Sequence, residues 1–182
     1  NRSNGPDGNI DANDMTFLSD NAIPRINYGI NLDGEWKNIS LSLLFQGVGA
    51  YDKILSTKDT PNGGVFQGGQ RPYFEIWTKH WTPENPDAPY PRAATYSWNQ
   101  YGIYGSRFWI RNGAYLRLKN INLAYTLPQS WTRHLLIDKC QVYLNATNLF
   151  CIAGFSETDP EQYMMDSYPI MKSFTAGLSI NF

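Results

Sequence analysis

The sequence predicts an all-β fold in which about five antiparallel strands are the C-terminal strands of a large transmembrane β-barrel with long extracellular loops. Apolar and polar residues alternate in several stretches of about ten residues, the length that a tilted strand needs to cross a bilayer. Long connections rich in glycine and proline separate some of these stretches, and short ones separate the others. Aromatic residues make up 15% of the 182 residues, yet the mean hydropathy is only −0.45. This combination is expected when one face of each strand meets lipid and the other face is polar.

The alternation is clearest in the terminal stretch, Ile170–Phe182. One face of this stretch is apolar and carries Phe174, Ala176, Leu178, Ile180 and Phe182. The other face is small or polar and carries Ser173, Thr175, Gly177, Ser179 and Asn181. Alternation with a period of two places the two sets on opposite sides of one extended strand. By itself, this stretch fits either a transmembrane strand or the last strand of a soluble sandwich or lipocalin-like barrel.

Three upstream stretches also predict amphipathic strands. Residues 26–36 and 39–50 alternate in the same way and are separated by a short polar break, which is typical of a β-hairpin. Residues 139–150 predict a further strand of the same kind. The connector before that strand, Leu127–Asp138, is predicted to hold one helical turn at Ser130–His134.

The remaining predicted strand, residues 115–126, contains a change of phase. Leu116 and Leu118 share one parity, whereas Ile121 and Leu123 share the other. One extra residue in a strand restores the facing of its side chains, so we predict a β-bulge near Lys119 and Asn120.

The lengths of the connections predict an orientation in the membrane. The connections that precede the five strands are long, short, long, short and long: 1–25, 36–38, 51–106, 127–138 and 151–168. A connection of more than about fifty residues argues against a simple sandwich. Outer-membrane barrels have long external loops and short periplasmic turns. We therefore interpret 1–25 and 51–106 as extracellular loops, 26–50 as a barrel hairpin, and 107–182 as the last three strands with their connections. Phe182 then lies at the periplasmic face.

Composition and length exclude other classes of protein. The 15 basic and 16 acidic residues nearly balance, so a broad nucleic-acid-binding surface is not expected. No apolar run approaches the roughly 18 residues of a transmembrane helix. Five strands cannot close a barrel, which needs about eight. We therefore expect further strands outside this sequence and interpret the chain as a C-terminal fragment.

The N-terminal stretch, residues 3–14, partly fits the twelve-residue calcium loop. Gly8 takes the sharp-turn sixth position, and Asp7, Asp11 and Asp14 take the fifth, ninth and twelfth. Serine and glycine replace the usual acids at the first and third positions. The stretch therefore fits either a bound calcium ion or a solvated turn rich in asparagine, aspartate and glycine.

The long loop after the hairpin is rich in aromatic residues, and six of them are candidates for contact with a substrate or a partner: Trp77, Trp81, Tyr90, Tyr96, Trp98 and Tyr101. Flat aromatic faces stack on sugar rings or anchor a partner protein. The alternative is that these rings pack the loop against itself. A secreted carbohydrate-binding β-sandwich would use such rings as well.

No catalytic constellation is predicted. The two histidines, His80 and His134, fall on opposite sides of the membrane in this topology, which excludes a site that uses both. Glu157, Asp159 and Glu161 lie in an acidic loop that contains proline, which is more typical of solvated carboxylates than of an acid/base pair. We therefore expect that the protein is not an enzyme.

Four motifs together resemble one family of membrane proteins. They are W-T-P-E-N-P-D-A-P-Y-P-R (Trp81–Arg92), Y-L-R-L-K-N-I-N-L-A-Y-T-L-P (Tyr115–Pro128), V-Y-L-N-A-T-N-L-F (Val142–Phe150) and S-F-T-A-G-L-S-I-N-F (Ser173–Phe182). In this order they resemble the C-terminal part of SusC/RagA-type TonB-dependent transporters, and the resemblance covers nearly the whole chain.

The resemblance implies a barrel of about 22 strands with an N-terminal plug, in the outer membrane of a Bacteroidetes-type bacterium. It implies that the protein takes up oligosaccharides or peptides, driven by the TonB complex, with a SusD-like surface lipoprotein as a lid. It also implies that the aromatic C-terminal residue Phe182 acts in barrel assembly. The plug and the TonB-binding segment would lie outside this sequence.

Overall fold

A computed structural model describes residue 8 and residues 16–55, 78–90, 92, 107–162, 168 and 170–182. The chain divides into two compact units. The strand unit comprises Pro24–Ala50, Ala114–Gly154 and Pro169–Phe182, and the loop unit comprises Asn1–Ile23, Tyr51–Gly113 and Phe155–Tyr168.

The regular elements are mostly strands: β1 (Ile26–Trp36), β2 (Ile39–Gly49), β3 (Asp52–Ile54), β4 (Ile110–Asn112), β5 (Tyr115–Thr126), β6 (Lys139–Thr147), β7 (Cys151–Ala153) and β8 (Ser173–Asn181). A single turn of helix, α1 (Gln129–Thr132), continues into a 3-10 turn at Arg133–Leu135 and confirms the predicted helical turn. None of the helical segments in the described ranges has the length and apolar character needed to cross a bilayer.

The strand unit is one antiparallel sheet with the strand order β1-β2-β5-β6-β8. The five predicted strands are therefore confirmed. One boundary was wrong, because the strand predicted at residues 139–150 ends at Thr147. Pairing then resumes at Cys151–Ala153, which forms β7 and pairs with the start of β5. The sequence predicts a loop at these residues.

The predicted bulge lies in β5. Leu44 of β2 pairs with Asn120, whereas the next residue, Phe45, pairs with Leu118. Lys119 is therefore the extra residue. Because of it, the leucines before the bulge and the apolar residues after it lie on the same face of the sheet. The phase change in the sequence therefore indicates the bulge. The apolar side chains before and after it stay on the same face of the sheet.

Both short connections of the sheet contain a residue with left-handed backbone. Lys37, in the turn between β1 and β2, has a φ of 54°, and Leu136, after the 3-10 turn, has a φ of 56°. This region favours glycine, because it brings the Cβ atom of any other residue close to the backbone, at a cost of about 1–2 kcal/mol.

The loop unit contains a small two-stranded sheet. β3 pairs with β4 in antiparallel fashion, Asp52 with Asn112 and Ile54 with Ile110. Backbone hydrogen bonds extend this pairing, from Gly113 to Tyr51 over 2.7 Å and from Leu55 to Trp109 over 2.8 Å.

Candidate functional site

An apolar face runs without a break across all five long strands. The register aligns Leu32 of β1 with Leu43, then with Ile121, Ala146 and finally Phe174 of β8. Parallel rows along the strands add Leu41, Leu123, Leu144, Leu178 and their neighbours. Many large side chains on this face are exposed, and Leu178, for example, is 58% exposed, whereas Leu118 is buried. A contiguous exposed apolar surface of this extent marks contact with a partner or with a membrane.

Aromatic residues border the apolar face at both ends of the strands. Trp36, Tyr125 and Phe182 lie at the end with the short connections, and Tyr28, Phe45, Phe150 and Phe174 lie toward the other end. Along β1, the eight residue steps from Tyr28 to Trp36 span about 26 Å. Transmembrane barrels have an apolar band about 25 Å tall between two aromatic girdles. With the strand tilt of about 35–45° that such barrels have, this path covers about 19–22 Å of height, most of the apolar band.

The opposite face is polar, and its side chains are linked by hydrogen bonds between strands. The Asn145 side-chain amide donates to Asn120 Oδ1 over 2.9 Å, and the hydroxyl groups of Thr147 and Ser173 are 2.6 Å apart. Leu44 is an apolar exception on this face. A predominantly polar, hydrogen-bonded face fits a hydrated barrel interior.

The polar face contains a shallow cavity of about 290 Å³ near the turn between β1 and β2. Its polar lining consists of Asp33, Glu35, Ser40, Ser42 and Asn122. The two carboxylates and the hydroxyl groups provide hydrogen-bond acceptors and donors, but no catalytic arrangement.

A buried lysine organises the loop unit. Lys53 of β3 is 2% exposed, and its Nζ atom donates hydrogen bonds to three backbone carbonyl oxygens. These belong to Asp159 at 3.0 Å, to Pro160 at 3.4 Å and to Gln162. The ammonium group therefore fixes the backbone of the acidic turn at residues 159–162. A buried charge is tolerated only where such partners surround it.

Glu157 is the second buried charge of the loop unit. Its Oε1 atom accepts hydrogen bonds from Arg111 Nε at 2.8 Å and from the Tyr90 hydroxyl at 3.1 Å. Its other oxygen, Oε2, accepts from the Ser156 N–H at 3.2 Å. Hydrogen bonds to Glu157 thus connect β4 and the segment around Tyr90 to the acidic loop.

The environment shifts the pKa of both buried groups. Burial lowers the pKa of Lys53, and the nearby charge of Asp159 opposes this in part. For Glu157, burial raises the pKa. The hydrogen bonds from its own backbone N–H, Arg111 and Tyr90, with the charge of Arg111, outweigh burial and leave the pKa below its usual range. Glu157 is therefore ionised at neutral pH.

The predicted site residues fall partly within the described ranges. The Trp81 ring is 37% exposed, whereas Tyr90 is 7% exposed and packs edge-on against Phe108, with ring centroids 6.4 Å apart. The Tyr90 ring is therefore packed inside the loop unit. Phe182 is 84% exposed. Outside the described residues lie Asp7, Asp11, Asp14, Trp77, Tyr96, Trp98 and Tyr101.

Two findings go beyond the sequence analysis. The interpretation of Glu157 as a solvated carboxylate was wrong, because its residue is 8% exposed and it pairs with Arg111. The sequence pattern does not identify Lys53 or Arg111 as site residues. Lys53 lies 106 positions from Asp159, and no local pattern indicates this contact. Among the described residues, no group of three or more histidine, cysteine, aspartate or glutamate side chains could hold a metal ion.

The two-faced sheet, with an apolar band bordered by aromatic rows, defines part of the wall of a transmembrane β-barrel. Comparison with known proteins agrees with this class. The chain is 28% identical to TonB-dependent receptor P26 of Formosa agariphila over 190 residues, which is 97% of the chain and 19% of that receptor. It is 26% identical to TonB-dependent receptor P3 of the same organism over 191 residues, or 96% of the chain and 18% of that receptor. No family model matches the chain.

Solved structures of RagAB, a peptide importer, are similar as well. The chain superimposes on the closed-closed state with a TM-score of 0.67 and 25% identity, covering 96% of this chain and 19% of the matched chain. For the open-open state, the TM-score is 0.56 at 25% identity, with 88% and 17% covered.

These comparisons confirm the predicted resemblance to SusC/RagA-type TonB-dependent transporters. They also confirm the predicted fold, a part of a large antiparallel β-barrel. The alternative of a carbohydrate-binding sandwich is not supported. The chain spans about a fifth of the length of the relatives that it matches.

Proposed function

We propose that the full-length protein imports a nutrient across the outer membrane in a TonB-dependent manner. In this proposal, the strand unit forms part of the barrel wall. The observation that carries the proposal is the continuous apolar face between two aromatic rows, in a chain similar over 97% of its length to a TonB-dependent receptor. The polar face, with its hydrogen-bonded asparagine and threonine side chains, would line the interior.

The proposed orientation places the two short connections of the sheet in the periplasm. The loop unit, to which residues 1–23 and 51–113 contribute, is then extracellular. Long external loops and short periplasmic turns are general among bacterial barrels. In this position, the buried Lys53 and Glu157 give the external surface a fixed shape.

The proposed substrates are oligosaccharides or peptides, and the similarity to the RagAB peptide importer favours peptides. A SusD-like surface lipoprotein is the proposed partner, and it would bind over the external loops. The exposed Trp81 ring is a candidate contact for either, together with Trp77, Tyr96, Trp98 and Tyr101. Calcium binding by Asp7, Asp11 and Asp14, and a role of Phe182 in barrel assembly, also remain proposals.

Uptake by cells tests the import function. A strain that lacks the gene is compared with the same strain carrying it, using fluorescent peptides and fluorescent oligosaccharides of matched size. We expect one of the two probe classes to be taken up, and only by the complemented strain. We expect a protonophore to abolish this uptake. Equal uptake with and without the gene would contradict the proposal. Uptake that persists after the protonophore would contradict the TonB-dependent part.

Affinity purification from native outer membranes tests the partner. A tagged full-length protein is solubilised in mild detergent, and the co-purifying proteins are identified by mass spectrometry. We expect one surface lipoprotein in stoichiometric amount. Trp81→Ala is expected to weaken either lipoprotein retention or substrate binding, whereas Glu84→Gln, at an exposed position of the same segment, serves as the control.

A further inference from the structure

The short connections of the strand unit meet at one end of the sheet. The Thr126 N–H donates to the Asn38 carbonyl over 2.8 Å, which joins the turn between β1 and β2 to the start of the connector at 127–138. The Asp138 N–H donates to the Asn181 carbonyl over 2.9 Å, which joins the same connector to the end of β8. We call this end, with Lys37, Asn38 and residues 127–138, the turn edge.

The turn edge exposes large apolar side chains beyond the last row of the apolar face. Leu136 is 86% exposed and Trp131 is 64% exposed, although both lie in a short connector between paired strands. Trp36, at the same end of the apolar face, is 68% exposed. Exposed apolar side chains therefore occur both at this end of the apolar face and in the connector.

Leu136 has a backbone conformation that favours glycine. Its φ and ψ are 56° and 32°, and its N–H caps the 3-10 turn by donating to the Arg133 carbonyl over 3.3 Å. Glycine is the usual residue at such a helix end. The capping hydrogen bond holds this backbone conformation, and the side chain of Leu136 is left almost fully exposed. An exposed leucine next to an apolar face indicates contact with an apolar medium.

Basic side chains accompany the exposed apolar ones. Lys37 also has a left-handed backbone, and its Nζ atom lies 4.5 Å from the centroid of the Trp36 ring. Arg133 and His134 are exposed in the connector, where Asp138 is the acidic residue. The turn edge thus contains two basic side chains, Lys37 and Arg133, and one acidic side chain, Asp138. Glu35 is not counted because it lies on the polar face.

We propose that the turn edge is an interfacial anchor that inserts Leu136 and Trp131 into the inner leaflet of the outer membrane and binds anionic phospholipid headgroups through Lys37 and Arg133. This inference rests on the proposed orientation of the barrel. Tryptophan at the level of the headgroups, with basic side chains beside it, is the general pattern of interfacial binding. The anionic headgroups complement the basic excess of the turn edge.

Spin labels at three positions test the insertion. The full-length protein, with its native cysteines replaced by serine, receives a single cysteine at Leu136, Ser130 or Leu144 and is reconstituted in phospholipid vesicles. Relaxation by oxygen, which concentrates in lipid, is compared with relaxation by a water-soluble nickel complex. We expect a lipid signal at Leu136 and at Leu144, the mid-strand reference on the apolar face, and a more aqueous signal at Ser130.

The three labels separate the possible failures. An aqueous signal at Leu136 with a lipid signal at Leu144 would overturn the anchor but leave the barrel wall in place. An aqueous signal at Leu144 would overturn the proposed function itself. If Leu136 becomes shielded from both relaxants, a protein surface covers the turn edge, and the anchor is again overturned.

Headgroup selectivity tests the role of the charges. Phosphatidylglycerol retained by the full-length protein is measured by native mass spectrometry, from vesicles with equal amounts of phosphatidylglycerol and phosphatidylcholine. We expect Lys37→Gln and Arg133→Gln each to reduce the enrichment of phosphatidylglycerol about fivefold, the effect of one basic residue near an anionic surface. Lys139→Gln, at the same end but on the polar face, is expected to change nothing. Unchanged enrichment in the double variant of Lys37 and Arg133 would refute headgroup binding.

Discussion

The two units of the chain differ in the side chains that they expose and bury. The strand unit exposes many large apolar side chains, such as Leu144 at 56%, on one face. The loop unit buries charged and polar groups, among them Lys53 at 2% and Glu157 at 8% exposure. In a water-soluble domain, both features would be costly.

The difference shows that each unit is adapted to a different surrounding medium. The strand unit needs an apolar solvent for one face, and the backbone polar groups between neighbouring strands are satisfied by the pairing of the strands. Among the described residues of the loop unit, Lys53 provides the donor for the backbone carbonyls of residues 159–162. Buried polar contacts therefore accompany buried apolar side chains such as Leu55 and Trp109 in the loop unit.

The largest expected effect tests the facing of the strand unit. Leu178→Arg places a charge on the apolar face and is expected to destabilise the membrane-inserted barrel by about 2–4 kcal/mol. Ser179→Arg, one position later on the polar face opposite Gln141, is expected to be much milder. The amount of folded protein in the outer membrane, measured by its heat-dependent gel mobility, checks the pair. Equal losses for both variants would show that the assigned facing is incorrect.

A smaller effect is expected from the central lysine of the loop unit. Lys53→Met keeps the volume of the side chain but removes the donor shared by three carbonyls, for an expected loss of about 1.5–3 kcal/mol of local stability. Hydrogen exchange of the backbone amides at residues 155–162 measures this loss. Lys79→Met, at an exposed position of the same unit, is the control. Unchanged exchange in Lys53→Met would mean that the acidic turn is held by other contacts.

A comparison of two glycines examines how tightly the sheet is packed. A Cβ atom on Gly47 would lie 2.2 Å from the backbone oxygen of Tyr115, whereas one on Gly177 would meet only the outer end of the Tyr143 ring. A tyrosine ring can move aside, but a paired strand cannot. We expect Gly47→Ala to cost about 1–3 kcal/mol, as overpacking does, and Gly177→Ala to cost less. Thermal unfolding in detergent ranks the two, and the reverse order would contradict the register of β2 and β5.

The smallest expected effect is a pH dependence confined to the loop unit. Because the pKa of Glu157 is below its usual range in the folded state, its stabilising contribution is complete above the ordinary glutamate pKa of about 4.3. The contribution is lost as the pH falls through the lower pKa of the folded state. Protection of the amides at residues 155–162, taken as the exchange rate relative to the intrinsic rate at each pH, is expected to fall between pH 7 and pH 3 more in the wild type than in Glu157→Gln. Identical pH profiles would exclude Glu157 as the group responsible.

The strand unit was largely predictable from the sequence. Alternation with a period of two identified the five long strands, and the phase change between Leu118 and Ile121 located the bulge. Both are predictable because the side on which each strand residue lies follows from the order of its neighbours in the sequence. The end of β6 was missed, since Asn148, with a φ of 54°, interrupts the pairing without leaving a periodic signal. The lipid-facing set and the membrane-spanning length follow from the same local alternation.

Only the tertiary structure decided the site in the loop unit. Arg111 and Tyr90 both donate hydrogen bonds to Glu157, although 46 and 67 positions separate them from the carboxylate. An acidic loop that contains proline has the same sequence pattern whether its carboxylates are solvated or buried. A contact between distant segments depends on how the chain folds back on itself, and periodicity reports only the immediate neighbours of a residue. The sequence by itself therefore determined which face of each strand is apolar, whereas the fold determined which charges are buried.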